Sequence, residues 1–414
     1  MNKRRIVITG LGAINALAKN VDETWEKLLQ GESGISHITK FDTTDLTSKI
    51  AAEIKDYDPV DYFDRKLVKK LDLYTQYACI AGKEAMEDSM ILKSSFDPTR
   101  FGVILGAGIG GIMTFEEEAN KMFKGGPRRI SPFFIPKMIS NIAAAQLSID
   151  YGLKGVNYTT VTACASANHA MGSALRAIQY GDADIILTGG CEAAVTPLAV
   201  GGFCAMRALS VRNDDPQKAC RPFDKERDGF IMGEGAALLV FEELGHALKR
   251  NAKIYGEVVG FGMSSDAHHI TAPVETGEGT SQAMEAALKD AGIKPEQVDL
   301  VSAHGTSTPL NDKTETAAIK NTFGEYAYKL KINSTKSMLG HTLGAAAGIE
   351  AIACLKAMAT GKVHPTINYE FPDPDCDLNY VPNKAIEHDV EYAISNSLGF
   401  GGHNSVLVLK RYEQ

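Results

Sequence analysis

The chain has little that would tie it together from outside. Its seven cysteines (Cys79, Cys164, Cys191, Cys204, Cys220, Cys354 and Cys376) are odd in number and nowhere spaced CxxC. That excludes a fully paired disulfide framework and the common zinc cages, so no metal is expected and a reducing, cytoplasmic setting fits best. Net basic charge is lacking as well: 43 Lys and Arg stand against 51 Asp and Glu, a balance of −8. Nucleic acid is therefore not an expected partner. No uninterrupted apolar run approaches the roughly 18 residues that cross a membrane, and no low-complexity tract breaks the pattern. With 414 residues there is ample chain for a large buried core. Lys3, Arg4 and Arg5 precede residues 6–18 in the manner of a secretory leader, but Thr9, Gly10, Gly12 and Asn15 interrupt the run. A first strand over residues 5–10, ending in a glycine turn, is expected instead.

β-branched runs ending in glycine alternate with longer helical patterns. Strands are expected near residues 5–10, 101–106, 157–162, 183–189 and 236–241, and helices near 25–30, 74–88 and 175–180. This alternation marks an α/β protein with buried strands. The same order recurs in the second half. Residues 252–262 resemble 5–12, 298–305 resemble 101–108, the small-residue helix after His341 resembles the one after Cys164, and 392–410 resemble 233–243. Two similar halves are expected, 1–250 and 251–414.

The sharpest chemical signal is Thr160-Val-Thr-Ala-Cys164-Ala-Ser-Ala167, between a strand and a helix that stops at Gly181. Small neighbours permit a tight elbow, and a helix N-terminus is expected to lower the Cys164 pKa. His304 opens His304-Gly-Thr306-Ser-Thr308-Pro after a strand, and His341 closes Lys336-Ser-Met-Leu-Gly-His341 before a small-residue helix. Near the C-terminus, Gly399-Phe400-Gly-Gly402 can aim the Phe400 amide into a site as an oxyanion donor. Three further patterns read as structural. Gly106-Ala-Gly108-Ile-Gly-Gly111 fits a dinucleotide loop, but no acidic strand end follows it. Asp224 to Asp228 begins like a calcium loop but has Gly235 in place of the final Glu. His268-His269 lacks metal spacing.

Taken together, TACAS at Cys164, HGTSTPLND at His304, STKSMLGH at His341 and NSLGFGGHN near the end resemble the β-ketoacyl-[acyl-carrier-protein] synthases. The likeness is greatest to the chain-elongating type II enzymes and spans nearly the whole chain, including GAGIGG, PRRISPFF and RPFDKERDGFIMGEGA. The resemblance implies a thiolase-like fold, two duplicated halves in a five-layered αβαβα arrangement, the first carrying the nucleophile and the second the two histidines. It implies a homodimer and the decarboxylative condensation of an acyl-enzyme thioester with malonyl-acyl carrier protein, without a cofactor beyond the carrier's phosphopantetheine.

By the same resemblance, Cys164 takes the acyl chain, and His304 and His341 stabilise the enolate. Lys336 pairs with Glu350, Phe400 gates the site, Thr306 and Thr308 hold pantetheine, and Ile109 and Phe203 line the acyl pocket. Acyl carrier protein is acidic, so Arg65, Lys66, Lys69 and Lys70 on one helical face, with Arg128, Arg129 and Arg207, are candidates for docking it. Ala167 stands where the family usually has Gly, and Asn15-Ala16 replaces its usual Thr-Pro. An extra methyl near the elbow could narrow the site. A polyketide or secondary-metabolite paralogue and a non-catalytic chain-length factor are the alternatives. The presence of Cys164 speaks against the second.

Overall fold

The computed structural model describes residues 3–413. The apolar runs form one ten-stranded sheet: β1 (Ile6–Asn15), β2 (Phe101–Gly106), β3 (Asn157–Thr160), β4 (Ile185–Glu192), β5 (Gly235–Glu243), β6 (Gly256–Ser265), β7 (Leu300–Ser302), β8 (Lys331–Asn333), β9 (Tyr392–Gly399) and β10 (His403–Lys410). The helices that pack on it are α1 (Val21–Gln30), α2 (Leu73–Asp88), α3 (Ile112–Gly125), α4 (Ile142–Tyr151), α5 (Ser166–Tyr180), α6 (Pro197–Ala205), α7 (Glu278–Ala291), α8 (Pro309–Phe323) and α9 (Ala346–Thr360).

The strand order across the sheet is β8-β7-β9-β10-β6-β1-β5-β4-β2-β3. Counted outward from the centre, β1-β5-β4-β2-β3 and β6-β10-β9-β7-β8 are the same topology used twice. The two copies meet through a short antiparallel pairing, Ile6 with Val258, Val7 with Glu257 and Ile8 with Gly256. The C-terminal segment 392–410, matched in the sequence to β5 alone, is a hairpin of two strands, β9 and β10, and so corresponds to β4 plus β5.

Side-chain alternation along the strands sorts the core into layers. On β4, Ile185 and Leu187 face a cluster with Tyr77, Ala81 and Ala85 of α2 and Leu147 of α4. Ile186 points the other way, toward Ala170 and Ala174 of α5 and Ala351 and Leu355 of α9. In the second copy, Val301, Ile394 and Val408 pack on Ala283 and Ala287 of α7 and Ile319 of α8. The layers are thus α2 and α4, strands, α5 and α9, strands, α7 and α8, as expected for a thiolase-like fold. Each large aliphatic side chain fully withdrawn from water contributes about 1.5–3 kcal/mol relative to exposure.

The first strand does not stop at Gly10. β1 continues to Asn15, with an irregularity between Ile8 and Gly10. The glycines serve close packing: a Cβ at Gly10 would lie 2.2 Å from the Ala85 carbonyl oxygen, and one at Gly12 would lie 2.0 Å from that of Ala81, both on α2. The 18-residue stretch Leu343–Thr360 is apolar enough on average to span a membrane, but it contains Glu350 and Lys356, and 83% of it is buried inside the fold.

Candidate active site

Two elbows, one from each copy, meet at the middle layer. In the first, the one-turn segment Ala163–Ala165 runs into α5, with Ala163 in the left-handed region at φ 50°. In the second, Leu343–Ala345 runs into α9, with Leu343 at φ 49°. By this correspondence, Gly344 stands in the second copy where Cys164 stands in the first. The second copy contributes imidazoles instead of a thiol, one just past a strand and one after the helical turn Lys336–Leu339. His304 follows β7. His341 is held by its amide, which donates to the Ile231 carbonyl at 2.6 Å.

The reactive atoms of Cys164, His304 and His341 all lie within 4.8 Å of one another. The two imidazoles are edge to face, 5.2 Å between centroids at 85°, and Phe230 backs His341 at 5.6 Å. They form the floor of a cavity of about 500 Å³ whose wall includes Ile109, Phe203, Arg207, Thr306, Thr308 and Phe400. Phe203, on α6, lies edge-on to Phe230 at 5.2 Å and reaches the Phe400 ring at 6.5 Å. The Thr306 and Thr308 hydroxyls are 2.9 Å apart.

Both histidines are buried, and burial together with the charge of Lys336 holds each well below the ordinary imidazole value. They are neutral across the physiological range. His341 Nδ1 accepts the Leu343 amide at 3.3 Å, which leaves the proton on Nε2. That Nε2 is buried without a protein partner, as is Nδ1 of His304. Lys336 forms a buried ion pair with Glu350; the two are 1% and 0% exposed. Burial raises the Glu350 carboxyl and Lys336 opposes that rise.

The thiol departs from its sequence-based expectation. Burial pushes Cys164 up to about 12, countered by Lys336, reinforced by Glu192, and countered again by the backbone amides of Cys164 and Phe400. The elbow precedes α5 at the inner end of the cavity, enclosed on its other sides by the fold, so desolvation outweighs the helix terminus. The resting group is a thiol. Of the two amides that bear on the sulfur, that of Phe400 is the donor anticipated for an oxyanion hole, and that of Cys164 itself stands beside it. Gly401 and Gly402 adopt φ 88° and 75°, which swings the Phe400 amide inward.

Two carboxylates missed in the sequence organise this site. Glu192, at the end of β4, accepts the amides of Gly108 at 2.8 Å, Ile109 at 3.1 Å, Gly110 at 3.0 Å and Gly344 at 3.1 Å. The glycine loop 106–111 therefore wraps a buried carboxylate of the protein itself, which explains its likeness to a phosphate loop. Glu315, on α8, accepts the amides of His304 at 2.7 Å and Gly305 at 2.8 Å and the Asn396 side chain at 3.1 Å. An acidic residue at the end of an apolar strand, and another two turns into a helix that follows a histidine loop, were the available signals.

Ala167 is fully buried in the core, its backbone against Gly106 and its methyl facing Gly190, and it does not line the cavity. Asn15 closes the turn after β1, its Oδ1 accepting the Leu17 and Ala18 amides. Asp224 is consumed by Arg221 and by the amides of Glu226, Glu370 and Phe371. His269 Nδ1 accepts the Thr271 and Ala272 amides, a loop role. The basic helix is a single turn, Arg65–Val68, so Lys69 and Lys70 lie beyond its end, but Arg65, Lys66, Lys69 and Lys70 are all exposed.

With this geometry in place, comparison decides the family. Residues 3–247 match the family described as beta-ketoacyl synthase, N-terminal domain, and residues 255–370 the corresponding C-terminal domain. The chain belongs to the β-ketoacyl synthase family. It is 49% identical over 413 residues to a 3-oxoacyl-[acyl-carrier-protein] synthase 2 of Synechocystis sp., covering 100% of this chain and 99% of that protein. It is 51% identical over 411 residues to the enzyme of the same name from Coxiella burnetii, covering 99% of each. Among solved structures, a beta-ketoacyl synthase from Burkholderia phymatum superposes with TM-score 0.92 at 34% identity, covering 99% of this chain and 100% of that one. A type II polyketide ketosynthase solved with its acyl-carrier protein gives 0.92 at 36%, covering 100% of both chains. The higher identity to the synthases 2 favours chain elongation over the polyketide alternative, and this β-ketoacyl synthase is a condensing enzyme of the acyltransferase class.

Proposed function

We propose the following division of labour for fatty acid chain elongation. The Cys164 sulfur attacks the thioester of an acyl-acyl carrier protein, the carrier leaves as its free thiol, and the acyl chain remains on Sγ. Malonyl-acyl carrier protein then enters past Thr306 and Thr308, whose hydroxyls suit the amides of pantetheine. Loss of CO2 leaves an electron pair on the former malonyl carbon, delocalised onto its thioester oxygen. N–H groups of His304 and His341 meet that oxygen. The carbanion attacks the acyl carbonyl, the amides of Cys164 and Phe400 receive the tetrahedral oxyanion, and collapse expels the Cys164 thiolate, which is reprotonated. The product is 3-oxoacyl-acyl carrier protein.

The observation that carries this reading is the convergence of two neutral, buried imidazoles with a single thiol. A carboxylate there would oppose the enolate. Lys336 acts through its charge: it disfavours imidazolium at both histidines while favouring thiolate at Cys164. Glu350 neutralises it. Ile109, Phe203 and the movable Phe400 ring form the acyl pocket, and no cofactor takes part beyond the arm the substrates bring.

Docking of the acidic carrier falls to Lys66, Lys69, Lys70, Arg128, Arg129 and Arg207. All six are exposed, none pairs with a carboxylate among the described residues, and Arg207 stands at the mouth of the cavity. The homodimer would form along β3, an edge strand paired only with β2 and carrying exposed Tyr158, with Val161 just beyond it and Phe123 and Ile149 on neighbouring helices. Seven free cysteines suit the reducing cytoplasm. The direct test supplies octanoyl- and malonyl-acyl carrier protein: 3-oxodecanoyl-carrier protein and CO2 are expected, and the absence of a 3-oxoacyl product would contradict the reading.

A further inference from the structure

The two oxyanion donors are built on separate pieces of chain. The Cys164 amide belongs to the elbow before α5, and the Phe400 amide to the turn between β9 and β10. Their spacing must be fixed by something other than the backbone that joins either to its neighbours. On one side the contact is direct: a Cβ on Gly399 would lie 2.6 Å from the Thr162 carbonyl oxygen and 3.4 Å from the Cys164 nitrogen.

On the other side stands a pair of histidines that the chemistry above does not use and that do not line the cavity. His169, on α5, turns back so that Nδ1 lies 3.2 Å from the Ala165 carbonyl oxygen and 3.0 Å from Thr162 Oγ1. Its ring meets the His403 ring edge to face, 6.3 Å between centroids at 84°, with Phe261 closing the cluster at 6.0 Å and 78°. The His403 ring lies under Gly401, 3.2 Å from where a Cβ would stand, one residue beyond Phe400. A chain of contacts from Thr162 through His169 and His403 to Gly401 therefore brackets both donors.

We propose that His169 is a positioning residue for condensation, tying the elbow of Cys164 to the turn of Phe400 through His403 and so holding the two oxyanion amides in register. Nδ1 donates to the Ala165 carbonyl, the His403 edge supplies the other anchor, and the ring touches no substrate. Burial lowers its pKa below the ordinary imidazole value, the Ala165 carbonyl opposing and the neighbouring His403 adding to that fall. The proposal rests on the oxyanion role given above to the two amides.

The test uses the full-length enzyme with octanoyl-acyl carrier protein, measuring single-turnover acyl transfer to Cys164, KM and alkylation of Cys164 by iodoacetamide. Alkylation forms no tetrahedral oxyanion, so it feels the two amides only through their small contribution to the thiolate. For His169→Leu, acyl transfer is expected to fall about tenfold or more, with KM and alkylation within threefold of wild type. His169→Asn, whose Nδ2 can replace the donor, should restore most of the rate. His403→Ala should reproduce the loss, and the double variant His169→Leu/His403→Ala should lose no more than either alone. Wild-type transfer by His169→Leu would overturn the proposal, as would an equal loss in alkylation, or a folded His169→Asn that restores nothing. Phe400→Pro removes the amide hydrogen itself. Unchanged transfer in that variant would instead refute the oxyanion reading, whereas impaired Phe400→Pro beside normal His169→Leu would refute only the role of His169.

Discussion

Glu192 of the first copy accepts the Gly344 amide of the second at 3.1 Å, so one buried carboxylate fastens the second elbow to the glycine loop 106–111 of the first copy. Burial raises this carboxyl to about 7, against the pull of the Gly110, Ile109, Gly344 and Gly108 amides. A raised acid favours the folded state most below its unfolded value, about 4.3. That contribution declines as pH rises through about 7. Glu192→Gln lacks the titration and presents an NH₂ to a nest of N–H donors. Chemical denaturation should show it less stable than wild type, with the gap widest near pH 4.5 and narrowing toward pH 8. A gap that does not change with pH would contradict the assigned burial.

The Lys336–Glu350 pair should be fragile to single substitution. Lys336→Met strands Glu350 without its cation, and breaking a buried pair costs about 3–5 kcal/mol. Lys336→Met/Glu350→Gln should recover much of that in thermal unfolding. In the folded double variant the thiol loses a positive neighbour, so its pKa rises and Cys164 alkylation at pH 8 should be slower than in wild type. Faster alkylation would show that Lys336 does not favour the thiolate.

For wild type, a thiol held near 12 predicts an iodoacetamide rate that climbs continuously between pH 7 and 10. A plateau below pH 8 would mean that the elbow stabilises thiolate after all.

Reversing charge at the proposed docking surface should separate carrier from acyl group. Lys66→Glu/Lys69→Glu is expected to raise KM about tenfold or more for octanoyl-acyl carrier protein, steeply at low salt, and to leave octanoyl-CoA unaffected. An equal loss with both substrates would remove the docking role.

Much of this was legible in the sequence, for physical reasons that also set its limits. The α2 helix and strand β2 were found nearly to the residue, because the strand is a continuous buried run and the helix is buried along most of its length. The doubled topology was visible because strand, glycine and small-residue helix recur in order. Cys164, His304, His341 and Phe400 were singled out because glycine and small residues cluster wherever backbone must approach a reacting group. Glu192 and Glu315 escaped notice because their function is to satisfy amides distant in sequence, Gly344 for the one and His304 for the other. The thiol pKa was misjudged because helix polarity can be read from order along the chain, whereas desolvation depends on what folds around it. Gly10 and Gly12 were taken as a turn when they mark the close approach of α2.

The mechanism depends most on the histidines acting on malonate independently of the thiol. The measurement is CO2 release from malonyl-acyl carrier protein by Cys164→Gln and by Cys164→Gln/His304→Ala. Cys164→Gln should release CO2 while forming no 3-oxoacyl product, and adding His304→Ala should reduce that release by about a hundredfold. A folded Cys164→Gln that releases no CO2, or release indifferent to His304, would contradict the mechanism.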